Sequence, residues 1–174
     1  MAVIIRQSQV VADNWLLLKA APEASIAIPP DGDVIVPLAV WRAQRDALTA
    51  RAGKLGVWLD SHEDPALIAS DLSHFALVAV NFPQFADGRG YSIAHLLRER
   101  YGWRGELRAI GDVLRDQLFY LAQCGFDAFE LRAGQDAQAA LSAFGDFSEA
   151  YQTSVARPQP LFRRRATAAS AETA

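Results

Sequence analysis

The sequence is poor in thiols and in lysine. Its 174 residues include one cysteine and one methionine, and only Lys19 and Lys54 among its 17 basic residues are lysines. Cys124 alone cannot close an internal disulfide, and it cannot ligate a four-cysteine metal or iron–sulfur site. Such thiol poverty suits a reducing compartment, so a cytoplasmic setting is expected. Against 20 acidic residues the basic ones leave a formal net charge of −3. Without a basic excess there is no general attraction to phosphate backbones, and nucleic acid is not an expected partner. No apolar run approaches the roughly 20 residues of a membrane helix, and the N-terminus lacks the basic-then-apolar order of a signal peptide. Neither G-x-G-x-x-G nor G-x-x-x-x-G-K occurs, so phosphate-loop and dinucleotide fingerprints are missing too. No cofactor and no metal are expected.

What is present is a globular composition, 51% hydrophobic and 21% charged. It fits one domain with its own core. Residues 1–154 read as a single α/β domain. Residues 1–32 form a short β-rich lead-in that ends in a Pro-Pro-Asp-Gly turn, and residues 155–174, with their arginine run and small polar end, read as a flexible tail. Between them short apolar runs alternate with helical patterns. The strands read "DVIVPLAV", "LGVWLD", "FALVAVNF", "GELRAIG" and "FDAFEL". The helices include "WRAQRDALTARAG", "DPALIASDL" capped by Asp64, "SIAHLLRERYG" capped by Ser92, "DVLRDQLFYLAQCG" capped by Asp112, and "DAQAALSAFGDFSEAYQ". Alternation of this kind predicts a mainly parallel sheet, either doubly wound or part of a barrel.

Either architecture gathers ligands beyond the carboxyl ends of its strands. The longest and most polar loop there follows Phe82 and reads "PQFADGRGYS". Gly88 and Gly90 let a ligand approach the backbone, Arg89 offers a planar fork of donors, and a helix start near Ser92 offers free amides. With Asp87 and Arg108 these are the anion-binding candidates. The alternative is an Asp-Gly turn followed by a capped helix. Asp112 is the catalytic candidate, as a group that positions a hydroxyl or a water; its alternative is a helix cap. Asp60, His62, Glu63 and Asp64 are better read as a solvated turn than as a metal site. Cys124, at a helix C-terminus, reads as a buried, unreactive thiol.

The stretch from Phe82 to Phe129, "FPQFADGRGYSIAHLLRERYGWRGELRAIGDVLRDQLFYLAQCGFDAF", resembles a bacterial family catalogued as domain of unknown function 934. Its polar pattern, including Asp87, Arg89, Arg98, Glu106, Arg108, Asp112 and Gln117, matches without a gap, and weaker similarity reaches from about Asp33 to the closing helix. The resemblance implies a place in assimilatory sulfate and sulfite reduction, because such proteins are encoded beside sulfite reductase. They are often labelled oxidoreductases, although no residue of this sequence carries that label. The expected function is an accessory protein that contacts sulfite reductase or binds a small oxyanion. A small enzyme with an Arg/Asp strand-end site, or a structural protein that oligomerises through exposed aromatics, are the alternatives.

Overall fold

A computed structural model describes residues 3–19, 26–147, 153–160 and 162–163. Eight strands form one sheet in the order β2-β1-β8-β7-β6-β5-β4-β3. They are β1 (Val3–Arg6), β2 (Gln9–Ala12), β3 (Leu16–Leu17), β4 (Val34–Pro37), β5 (Leu55–Leu59), β6 (Leu77–Phe82), β7 (Glu106–Gly111) and β8 (Ala128–Phe129). From β3 to β8 each neighbouring pair is parallel. At the far edge β1 runs antiparallel to both β8 and β2. The sheet is therefore mixed, which corrects the expectation of a mainly parallel one. The lead-in carries three of the strands, β1 to β3. Its hairpin extends one edge of the sheet and β3 extends the other.

That arrangement forces the sheet to curl. Eight strands laid flat would set β2 and β3 about 34 Å apart, seven spacings of about 4.8 Å. Ala12 and Leu16 end and begin those strands, and four residues span at most about 14 Å. The sheet bends into a half-barrel, and residues 13–15 form a strap across its open side. The hairpin turn takes Gln7 and Ser8 through φ of 50° and 59°. Positive φ at both central residues matches the right-handed twist of the flanking strands.

Helical segments follow the inner strands: α1 (Leu38–Ala50), a 3₁₀ segment at Pro65–His74, α2 (Arg89–His95) continued by a π turn at Leu96–Arg100, α3 (Leu118–Gln123) and α4 (Ala137–Ala140). Strand pleating divides the apolar side chains between two faces. Val36, Val57, Val80, Phe82, Ala109 and Phe129 pack with the buried residues of all these helices. Ile35, Trp58, Leu77, Ala79 and Ile110 point the other way and meet Trp15 and Leu17. The buried apolar residues of the described helices all fall in the first group, so these helices lie on one side of the sheet. The strap's Trp15 covers the other side, so the helix-free face is the inside of the curl.

Several expected boundaries shift. Asp64 caps its segment as expected, accepting from the Ala66 amide with Pro65 at the first position. Ser92 caps nothing: α2 starts three residues earlier, after Gly88. Asp112 does not cap α3 either, because Arg115–Gln117 forms a 3₁₀ turn before Leu118. The closing helix is four residues of α4 and a 3₁₀ segment, Leu141–Gly145; its expected end at 148–152 lies outside the described residues. Of the expected flexible tail, 161 and 164–174 also lie outside them. The described part folds back, with the Ser154 hydroxyl donating to Gln123 at 2.7 Å.

Candidate functional site

The loops after β5, β6, β7 and β8 meet at the carboxyl end of the sheet, and short polar links tie them together. From the β5 loop, Asp60 accepts from the Asn81 amide on β6 at 3.1 Å, and the Ser61 hydroxyl donates to Asp87 at 2.7 Å. From the β7 loop, Asp112 accepts the Phe85 amide at 2.9 Å and an Arg132 N–H at 2.9 Å. Arg132 follows β8, so Asp112 bridges two loops. Its role is to fix the rim, not to cap a helix.

Arg89 stands at the start of α2, but its fork is occupied. Nε and Nη2 donate to the two Asp87 oxygens at 2.9 and 2.7 Å. The Arg89 and Ser61 hydrogen bonds hold the Asp87 carboxyl well below the usual carboxylate range. Gly90 is buried for packing: a Cβ there would lie 2.6 Å from the Phe82 ring. At Gly88 a Cβ would make only an ordinary contact, 3.9 Å from the Tyr91 ring. Ser92 turns away from the loop and lines a groove of about 570 Å³ with Tyr91, His95, Tyr120 and Cys124. That groove exceeds the cleft described below in volume, yet among the described residues that line it there is no carboxylate, lysine or arginine. Burial pushes the Cys124 thiol up, away from thiolate.

Arg108 lies on the helix-free face, in the middle of β7, and is 1% exposed. It donates to Asp13 of the strap at 3.0 Å and to Glu106 at 2.8 and 2.9 Å. Its donors are spent on holding the curl closed. The structure thus groups Asp87 with Arg89, buries Arg108 in a separate network, and links Asp112 to neither.

A cleft of about 360 Å³ opens at the carboxyl ends of β5–β8 on the inner face. Trp58, Ile110 and Gly111 line it with Asn81, Glu130, Arg132 and Lys19. The Trp58 indole is fixed by donating to the Leu18 carbonyl at 2.9 Å. Gly111, at φ 95°, is required: a Cβ would lie 2.5 Å from both the Asn81 Oδ1 and the Phe82 carbonyl. Arg132 uses one N–H on Asp112, and its Nε and Nη2 have no partner among the described residues. Lys19 is exposed on the opposite edge. Glu130 is half-buried, and no hydrogen bond reaches its carboxylate among the described residues. Burial raises its carboxyl above the usual range; Arg108 draws it back, and Asp13 adds to the rise.

A bacterial protein family of unknown function, DUF934, has a model that matches residues 56–162. The chain belongs to the DUF934 family. No curated protein matches it. The DUF934 region contains Trp58, Asn81, Glu130 and Arg132, whereas the strap residue Asp13 and Lys19 lie before it.

Sequence reasoning pointed to the carboxyl end of the sheet, where this cleft opens, but did not single out the residues that line it. One signal was available. In "FDAFEL" the alternation puts Ala128 and Glu130 on one face and Phe129 on the other, so Glu130 is a carboxylate facing the inside of the sheet. Among the described residues no three His, Cys, Asp or Glu side chains group as metal ligands, and no helix is long and apolar enough to cross a membrane.

Proposed function

We propose that the protein binds a small anionic molecule in the cleft at the carboxyl ends of β5–β8, and that it does so as an accessory of sulfite reduction. One observation carries the binding reading. Two cationic side chains, Arg132 and Lys19, with N–H donors that have no partner among the described residues, border an apolar floor of Trp58 and Ile110 at the strand-end mouth. Parallel β3–β8, read as part of a (β/α) barrel, supports the location, because barrel enzymes bind at that end. An arginine with free N–H groups takes sulfite, sulfonate or carboxylate oxygens in a planar fork. Arg132 is held for this by Asp112, which also anchors the loop after β6 through Phe85. The sulfur-assimilation part rests on the resemblance of the Phe82–Phe129 stretch and on sulfite and sulfate being oxyanions.

The test is titration calorimetry with sulfite, sulfate and 1-propanesulfonate on the wild type, Arg132→Ala and Arg89→Ala. A charge-assisted hydrogen bond contributes roughly 1.5–3 kcal/mol. Arg132→Ala is expected to weaken binding about ten- to a hundredfold, and Arg89→Ala to leave it unchanged. No binding of any of the three at millimolar concentration, or equal binding by Arg132→Ala, overturns the reading.

A further inference from the structure

The cleft holds a group that a simple anion does not explain. Glu130 stands two residues before Arg132 on the same wall, half-buried, with its carboxylate open to the cleft and no hydrogen-bond partner among the described residues. A carboxylate that is partly desolvated and unpaired is unfavourable unless a cation or a donor reaches it. Among the described residues no donor or cation is bonded to it. Arg108 lies on the same face but is bonded to Asp13 and Glu106, and it acts on Glu130 only across a distance. A bare anion would sharpen the problem by placing a second negative charge beside Glu130.

We infer that the ligand of this cleft is a small zwitterion, an amino acid or aminosulfonate, whose acid group sits on Arg132 and Lys19 and whose ammonium sits on Glu130. The inference rests on the anion-binding reading above and names the ligand class for that site. Its geometry is complementary: an apolar floor of Trp58 and Ile110 suits a short carbon chain between the two charges. The cleft's 360 Å³ also suits a molecule of that size. Burial raises the Glu130 carboxyl, and an ammonium brought alongside favours its ionised form. Among the described residues that line the cleft, Glu130 is the one carboxylate.

The experiment compares matched pairs. Taurine is titrated against 1-propanesulfonate, and β-alanine against butyrate, so that a methyl replaces the ammonium with little change in shape. Wild type and Glu130→Gln are each used, with thermal melts confirming that both are folded. The zwitterion is expected to bind the wild type about ten- to a hundredfold more tightly than its methyl partner, the contribution of one charge-assisted hydrogen bond. In Glu130→Gln that preference should fall to within threefold. Equal or tighter binding of 1-propanesulfonate and butyrate by the wild type overturns the zwitterion inference while leaving an anion site in place. A preference that survives Glu130→Gln likewise overturns it. Failure of all four molecules to bind overturns the anion site as well.

Discussion

Arg108 of β7 donates to Asp13, 95 residues away along the chain, at 3.0 Å. Asp13 belongs to the strap that joins the two edges of the sheet, so this ion pair fastens the strap across the inside of the half-barrel. Glu106 accepts two further N–H groups, and Arg6 approaches Glu106 at 3.6 Å. Removing one partner of a buried ion pair leaves the other charge uncompensated, at a cost of about 3–5 kcal/mol. Arg108→Met should lose stability on that scale in urea denaturation. Asp13→Asn should lose less, because Arg108 keeps Glu106. An Arg108→Met protein within 1 kcal/mol of wild type would show that the network does not hold the curl.

Two nearby glycines should respond differently to the same change. In Gly90→Ala the new methyl meets the Phe82 ring, which is pinned between Tyr91 and Phe126 at centroid distances of 5.3 and 5.8 Å. Overpacking of this kind costs about 1–3 kcal/mol, and the helix propensity gained by alanine returns under 1 kcal/mol. In Gly88→Ala the nearest atom is 3.9 Å away and φ is −81°, so the change should be neutral. Chemical denaturation of the two variants checks the ordering; equal stabilities would mean that Gly90 is not there for close packing.

Glu130 should make the protein less stable as pH rises. Its folded-state carboxyl is raised by burial, so the native chain binds its proton more tightly than the unfolded chain does. Stability is then greatest below the ordinary carboxylate value and falls as pH passes from there through the raised value. Glu130→Gln removes this loss and should be more stable than wild type at pH 7, with a flatter profile across that window. Denaturation midpoints measured from pH 4 to 8 decide it. Asp87 has the opposite sign: its lowered carboxyl stabilises at neutral pH, and that contribution disappears only in strong acid. A variant less stable than wild type at pH 7 would mean that Glu130 is already compensated.

The proposed pathway has its own check. A strain without the protein should grow more slowly on sulfate than on cysteine as sulfur source, and a pull-down from sulfate-grown cells should enrich sulfite reductase. Equal impairment on both sources would remove the link.

Part of this architecture could be read from the chain alone. "FALVAVNF" is apolar except for Asn81 because β6 is covered on both faces, by helices outside and by the strap side within. Asp64-Pro65 announces its helical segment in two residues. The lead-in was less legible. Gln7-Ser8 lacks the glycine that usually marks a hairpin, and the partners that place β1 and β3 at opposite edges lie far along the chain. Arg108 alternates with the apolar Leu107 and Ala109, so its face could be read, but nothing local points to Asp13. Gly111 explains the misreading of Asp112. Its positive φ turns the chain, delays the helix to Arg115, and sends the Asp112 carboxylate to Phe85 and Arg132 instead. The candidate anion loop was read by donor count. Its acceptor, Asp87, sits two residues from Arg89 and satisfies the fork internally.

Whether the cleft is a ligand site is tested most directly by amide and indole chemical shifts. A ¹⁵N-labelled sample is titrated with taurine and with 1-propanesulfonate, and the shifts are mapped by residue. The account predicts that the Trp58 indole N–H, Gly111 and the amides of residues 130–133 move together and saturate with at least one of the two, while Arg89 to Ser92 stay fixed. Saturable shifts confined to Asp87–Ser92, or none at Trp58 and residues 130–133, would contradict it.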